Sequence, residues 1–478
     1  MKTVISCTSA IALAFILSTV ACESSSGSGS PPPPSAADGG SIDPPSSEAG
    51  APVVDCPAPS GGPTTHKGDI QGEETWTAAG SPHIVEFDVN VRNGAKLTIE
   101  PCAEVQVMKG QHVFVAYPGT PNAGGTLIAE GSAEHPIRIA GKDGASWASL
   151  YVHAPGTARL KHVTLEGGGG GDFEDNATID VLGNGELPAD PLLFVDHVTI
   201  SKSTGTGIWM QRGATFLPGS TDLTVTASGN DTSPFPVQIE EHAIDALPTG
   251  KYTGNKIDEI LLRTQGYGIA GGGLTVDATL HERGVPYRMG KTKLDYFIIG
   301  RSDPGPVTTL TIEPGVVMRF EKETAFEIQS GTTDKPSTGI VRALGTADKP
   351  IVFTSASATP KAGDWRGLWF GGIPQAQNQL DHVRIEYAGY DCSCILNTCS
   401  MLSTHDGAVI FTQQPPSAFI TNSTFKEIAG HGITQGFDGN LVSFRPTNTF
   451  EGVTGCVQTL PRQPDTQCPM PKPACDGN

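Results

Sequence analysis

The sequence predicts an all-β solenoid, and three observations lead to it. Gly 59 and Pro 38 in 478 residues, with only 6% aromatic side chains, favour short strands and frequent turns over helices. Long stretches of the chain are duplicated. Within each copy the apolar residues alternate with a period of two, the signature of strands with one buried face.

The duplication is legible residue by residue. Leu97-Thr98-Ile99-Glu100-Pro101 returns as Leu310-Thr311-Ile312-Glu313-Pro314. Ala129-Glu130-Gly131 with His135-Pro136-Ile137 is answered by Ala343-Leu344-Gly345 with Lys349-Pro350-Ile351. Trp147 to Tyr151 matches Trp365 to Trp369, Leu160 to Glu166 matches Leu380 to Glu386, and Gly205-Thr206-Gly207 matches Gly430-His431-Gly432. Order is kept while the offset drifts only from 213 to 225 residues, so the copies differ by small loop insertions. Each apolar pair, such as Leu150 and Val152 or Leu368 and Phe370, implies a strand too short to bury a core alone. Stacked coils of about twenty residues, sharing one interior, satisfy that constraint. An array of immunoglobulin-like sandwiches would need longer strands and a period of about 100 residues.

In chain order, residues 1–21 read as a signal peptide. Lys2 precedes an apolar run, Ala10 to Leu17, too short to span a bilayer comfortably. The sequence Leu17-Ser18-Thr19-Val20-Ala21-Cys22 resembles the lipobox of bacterial lipoproteins, which implies acylation of Cys22 and attachment to a membrane. Position −3 is Thr19, where that family prefers Leu, and ordinary secretory cleavage after Ala21 is the other reading. Residues 22–55 form a Ser/Gly/Pro tether with almost no large apolar side chains. The first half of the coil is assigned to 56–275, the second to 276–455, and a Cys/Pro-rich tail to 456–478. A net charge of −19 argues against nucleic acid as a partner, because phosphate binding needs a basic face.

Eight cysteines follow Cys22. An even count in an exported chain points to disulfides. Cys56 and Cys102 stand apart and are expected to pair. Cys392, Cys394, Cys399, Cys456, Cys468 and Cys475 leave fifteen connectivities open. A zinc site at Cys392, Cys394 and Cys399 is the alternative, though the spacing fits no common zinc pattern.

Several segments resemble surface proteins of the pectate-lyase-like superfamily. They are Thr75-Trp76-Thr77-Ala78-Ala79 with Pro82, the repeated LTIEP, Gly345-Thr346-Ala347 with Lys349-Pro350-Ile351, Asp364-Trp365 with Gly367-Leu368-Trp369-Phe370, and Leu380 through Gly389. The resemblance covers about residues 68–455. It implies a right-handed parallel β-helix of three sheets, of a kind common among lipoproteins of Gram-negative bacteria, myxobacteria especially. It implies no particular activity.

Chemistry is sparse. His162 and His382, or Glu166 and Glu386, fill the same slot in both copies, which suits a repeated structural environment better than a catalytic centre. Alternation points these side chains outward. Gly430-His431-Gly432 resembles a motif of polygalacturonases, which share the fold, and makes His431 and Asp406 weak acid–base candidates. The adjacent Asp pair and the downstream Arg-x-Lys of those enzymes are missing, and the first copy carries Thr206 where His431 stands. No catalytic residue is assigned, and no cofactor. Ca²⁺ held by Asp172, Glu174 and Asp175, or near Asp391, is a weaker possibility, since calcium wants six or more oxygens. The stronger lead is aromatic: alternation points Tyr151 and Trp369 outward, Trp365 shares the parity of Trp369, and Trp209 follows Gly207. Such rings could stack on sugars. The expected function is a non-catalytic scaffold or binding module of the bacterial envelope, exported and lipid-anchored at the outer membrane or cell surface, with the periplasm or secretion as the alternative location and a polysaccharide or envelope protein as partner. A polysaccharide lyase or hydrolase of acidic polysaccharide is the first alternative, and an adhesive or structural spacer the second. Converging carboxylates, His and Arg in one groove would favour the enzyme, and an aromatic stripe would favour sugar binding.

Overall fold

The structure, a computed structural model, describes residues 53–116, 124–171, 176–263, 273–291, 295–301, 305–329, 334–391, 406–461 and 474–477. Cys22, Asp172, Glu174, Asp175, Cys392, Cys394, Cys399 and Cys468 lie outside them. The described chain is a parallel β-helix. Apart from short 3-10 turns its elements are strands, and every strand pairs in parallel with the strand one coil away.

The strands line up in columns. One column runs through His83–Val91, Val113–Val115, Leu150–His153, Ala177–Leu182, Thr206–Gln211, Val237–Glu240 and Ile260–Arg263. It continues without a break through Tyr287–Met289, Val317–Phe320, Ile351–Ser355, Val383–Glu386, Thr424–Ile428 and Thr449–Val453. At about 4.8 Å per rung these thirteen strands span about 58 Å. The two copies therefore share one hydrogen-bonded column.

The copies enter that column out of step. Ile137–Gly141 belongs to a different column, with Glu104–Val107 and Thr157–Glu166. Its counterpart Ile351–Ser355 stands in the long column. Leu150–His153 stands in the long column, whereas its counterpart Leu368–Phe370 belongs to a separate five-stranded sheet with Phe326–Ile328 and Gly407–Phe411. Matching strands are thus displaced by one face. Backbone N–H and C=O groups pair whatever side chains they carry, so the slip costs no ladder bonds as long as apolar residues still point inward.

Alternation sets the interior. Leu150 and Val152, Ile179 and Val181, and Ile208 and Met210 are at most 2% exposed. Two strands, Thr157–Glu166 and Asp190–Ser201, are longer than the sequence suggests because each runs through a corner into the next column. The corners are left-handed: His162 (φ 47°), His197 (φ 53°), His382 (φ 50°) and Asn422 (φ 48°) all occupy them. That conformation favours Asn, Asp and His over other side chains. His162 and His382 therefore fill one slot for a backbone reason, and simple alternation does not govern where they point. His197 stacks on His162 with 4.6 Å between centroids, and Asp196 and Asp381 each lie 2.6 Å from the following His. Disulfides Cys56–Cys102 and Cys456–Cys475 tie down the first and last coils. No helix among the described residues is long and apolar enough to cross a membrane.

Candidate functional site

The outward side of the long column carries an aromatic run. With their neighbours turned in, Phe114, Tyr151, Asp180 and Trp209 point out, in register on four successive rungs. All four are half-buried. Phe114 meets Tyr151 edge to face at 5.5 Å and His112 by stacking at 4.7 Å. Tyr151 and Trp209 are two rungs apart, about 10 Å by the strand spacing, with the Asp180 carboxyl between them. Gln211 Nε2 donates to Asp180 Oδ1 at 2.9 Å. Burial pushes the Asp180 carboxyl up to about 7, against the opposing effect of that hydrogen bond. Tyr151 and Trp209 are candidates the sequence itself offers, whereas Phe114 and Asp180 are not. The alternation around Asp180 was readable, but its place between two rings depends on the register of three strands.

The other two tryptophans are elsewhere. Trp365 is a core residue, 0% exposed, stacked on Phe320 at 4.1 Å, which corrects its outward assignment. Parity with Trp369 fails because Gly367 between them takes φ +113°, breaking the alternation. A Cβ there would lie 2.5 Å from the Ala408 carbonyl oxygen. The Trp365 indole N–H donates to the Glu386 carbonyl, as its counterpart Trp147 donates to the Glu166 carbonyl, both at 2.8 Å. Trp369 is half-buried and turned outward, but on the other sheet, between Glu327 and Ile410. It shares no face with Tyr151.

His431 and Asp406 are adjacent and buried, 4% and 5% exposed. The Asp406 carbonyl accepts from the His431 backbone N–H, and His431 Nδ1 accepts from the Cys456 N–H, each at 2.9 Å. An imidazole nitrogen held by a backbone donor is closing a coil, and it has no free lone pair for a substrate proton. Gly430 takes a left-handed φ of 74°, which its counterpart Gly205 in the first copy does not share. Glu166 and Glu386 are likewise engaged: Glu166 pairs with Arg138 at 2.9 Å and Lys202 at 2.6 Å, and Glu386, at 9% exposure buried rather than outward, accepts from Thr354 and Arg384. Asp391 is exposed. Among the described residues no group of three or more His, Cys, Asp or Glu is placed to hold a metal ion.

Acids and arginines do converge at one place that no sequence motif marks. Farther along the long column Arg288 and Arg319 point outward on adjacent rungs. Glu259, 3% exposed, accepts from Arg288 at 2.9 Å and from Arg319, and Arg288 is also bound by Glu321. A cavity of about 600 Å³ opens beside them, with Lys322, Lys361 and Asp364 also on its wall. Its carboxylates are committed: Glu259 and Glu321 to arginine, Asp364 to the Ser355 hydroxyl at 2.7 Å and the Lys361 N–H at 3.1 Å. Glu259 precedes the last strand of the first copy in this column, and both arginines belong to the second. The cluster locks the join. Seeing it from sequence would have required knowing the one-face slip. No protein-family model, no curated protein and no solved structure matches the chain.

Proposed function

We propose that this protein is a non-catalytic polysaccharide-binding rod of the bacterial envelope, exported and held to a membrane by a lipid on Cys22. The observation that carries the binding role is the run of Phe114, Tyr151 and Trp209 on one outward column, each half-buried and in strict register. Amphipathic rings that are partly wet gain by covering an apolar sugar face. A rigid β-helix holds them at fixed spacing, so little ordering cost falls on the protein side. The rung spacing places Tyr151 and Trp209 about two pyranose residues apart, which suits a linear polymer lying along the column. Export and anchoring rest on the signal-like residues 1–21, the lipobox-like Thr19-Val20-Ala21-Cys22 and the tether that follows. The acid–base geometry favours binding over catalysis, since Glu166, Glu259, Glu321, Asp364, Glu386 and the His431 Nδ1 are spent on fixed partners.

The test uses the full chain and a panel of soluble polysaccharides in affinity electrophoresis. Retardation by at least one polymer, reduced tenfold or more in Tyr151→Ala/Trp209→Ala with an unchanged circular dichroism spectrum, is the expected result. No retardation by any polymer, or equal retardation of the double variant, would remove the reading.

A further inference from the structure

We infer that the aromatic column selects neutral, polyhydroxylated sugars and rejects anionic ones, with Asp180 as the specificity-determining residue between the two rings. This rests on the polysaccharide-binding reading and goes further by naming the class of sugar.

The geometry supplies the argument. Asp180 pairs in register with Tyr151 on one side and Trp209 on the other, so a sugar bridging the rings passes directly over its carboxyl. Gln211 Nε2 holds one oxygen at 2.9 Å, which fixes the group and leaves Oδ2 to accept from a ligand hydroxyl. The side chains around it bring no compensating charge. Ile179 and Val181 turn inward. On the flanking strands stand Tyr151 and Trp209, then Gln211, and His153, whose Nδ1 faces the Ala154 carbonyl at 2.5 Å. None of the ion pairs described in the structure involves Asp180. Its carboxyl is raised to about 7 by burial, with only the Gln211 bond opposing, as expected of an acid with no cation beside it.

Such a group favours one ligand class. A hydroxyl donates to a carboxylate, and a hydrogen bond to a charged acceptor is stronger than a neutral one. Above about pH 7, where the carboxyl is ionised, a uronate or sulfate carried over the same rings would bring like charge against a shielded carboxylate, where repulsion is poorly screened. The chain as a whole, at −19, adds to the repulsion. The nearer cations, Arg212 and Arg263, act on Glu240, and Arg288 and Arg319 begin three rungs beyond Trp209, past the fully buried Gln238 and Leu261, so none of them offsets Asp180.

The experiment compares the full chain and two variants, Asp180→Asn and Asp180→Ala, against neutral polymers (dextran, galactomannan, xyloglucan) and anionic ones (polygalacturonate, alginate) at low salt and about pH 8.5, above the value of about 7 at which the folded carboxyl ionises. At least one neutral polymer should bind tenfold or more tighter than either anionic polymer. Asp180→Ala should weaken that neutral binding about tenfold. Asp180→Asn should narrow the gap by admitting the anionic polymers. Anionic binding equal to or tighter than neutral binding in the unmodified chain would overturn the inference, as would an unchanged preference in both variants. In either case loss of binding in Tyr151→Ala/Trp209→Ala would leave the platform itself standing. If no polymer binds, both the platform and its selectivity fall.

Discussion

In the first copy the long column is lined inside by Val91, Val115, Val152, Val181 and Met210, while its outward residues are Phe114, Tyr151, Asp180 and Trp209. In the second copy the interior is aromatic. Phe297 and Phe326 lie 5.1 Å apart, Phe326 meets Phe353 at 5.8 Å, Phe370 stacks on Phe411 at 4.9 Å and Phe411 on Phe444 at 5.3 Å. The outward side there is polar: Arg288, Arg319, Thr354, and later Lys426 and Glu451. The first half places rings on the outward side of the long column, whereas the second turns its rings into the interior, Phe320, Phe353 and Phe425 from that column and Phe326, Phe370 and Phe411 from the five-stranded sheet. The backbone ladder permits this because it reads only the alternation, not the size of the inward side chain. The first half thus has rings to present to a ligand, and the second uses them for cohesion.

This contrast can be broken or sharpened by measurement. The largest effect is expected at Phe326, fully buried against Phe297, Phe320 and Phe353. Phe326→Ala should cost about 3–5 kcal/mol, whereas Val152→Ala should cost about 2 kcal/mol from two lost methyl groups and a small cavity. Urea unfolding of both variants compares them, and equal losses would mean that the halves do not differ in how they cohere. Next comes the join. Glu259→Ala leaves Arg288 and Arg319 without their shared buried carboxylate and should cost about 3–5 kcal/mol. Hydrogen exchange should rise first in Tyr287–Met289 and Val317–Phe320; a uniform rise along the column would show that the cluster does not act at the join.

A smaller effect separates the two outward faces by pH. The folded carboxyl of Asp180 is raised from 3.8 to about 7, so the folded chain holds a proton that the unfolded chain releases. The stability associated with the protonated carboxyl is fully present below about pH 4 and is lost as pH rises through about 7. Asp180→Asn should therefore match the unmodified chain near pH 4 and become the more stable of the two above pH 7, as followed by thermal melts. A gap that is constant across that window would show that Asp180 titrates as an ordinary surface acid.

Much of the coil was legible before any coordinates. LTIEP and its repeat gave paired inward residues, and Leu97, Ile99, Leu310 and Ile312 are all buried. Tyr151 and Trp369 were turned outward by counting in twos, and both are half-buried there. The same count fails at Trp365, because a left-handed glycine two residues on broke it. Phe114 and Asp180 were invisible as partners, since nothing in the sequence around residue 114 says that it lies one rung from Tyr151. The Glu259 cluster was hidden for the same reason, Glu259 and Arg319 being 60 residues apart in sequence.

By itself the sequence determined that this chain coils, that its strands alternate and that it carries two related halves, because those properties follow from local period and repetition. Only the tertiary structure decided which strand stacks on which. Ladder bonds are indifferent to side chains, so the one-face slip between the copies could be set only by the packing of whole coils. That slip put Tyr151 and Trp369 on different faces and gathered Glu259, Arg288 and Arg319 at the join. The same stacking placed Asp180 between two rings.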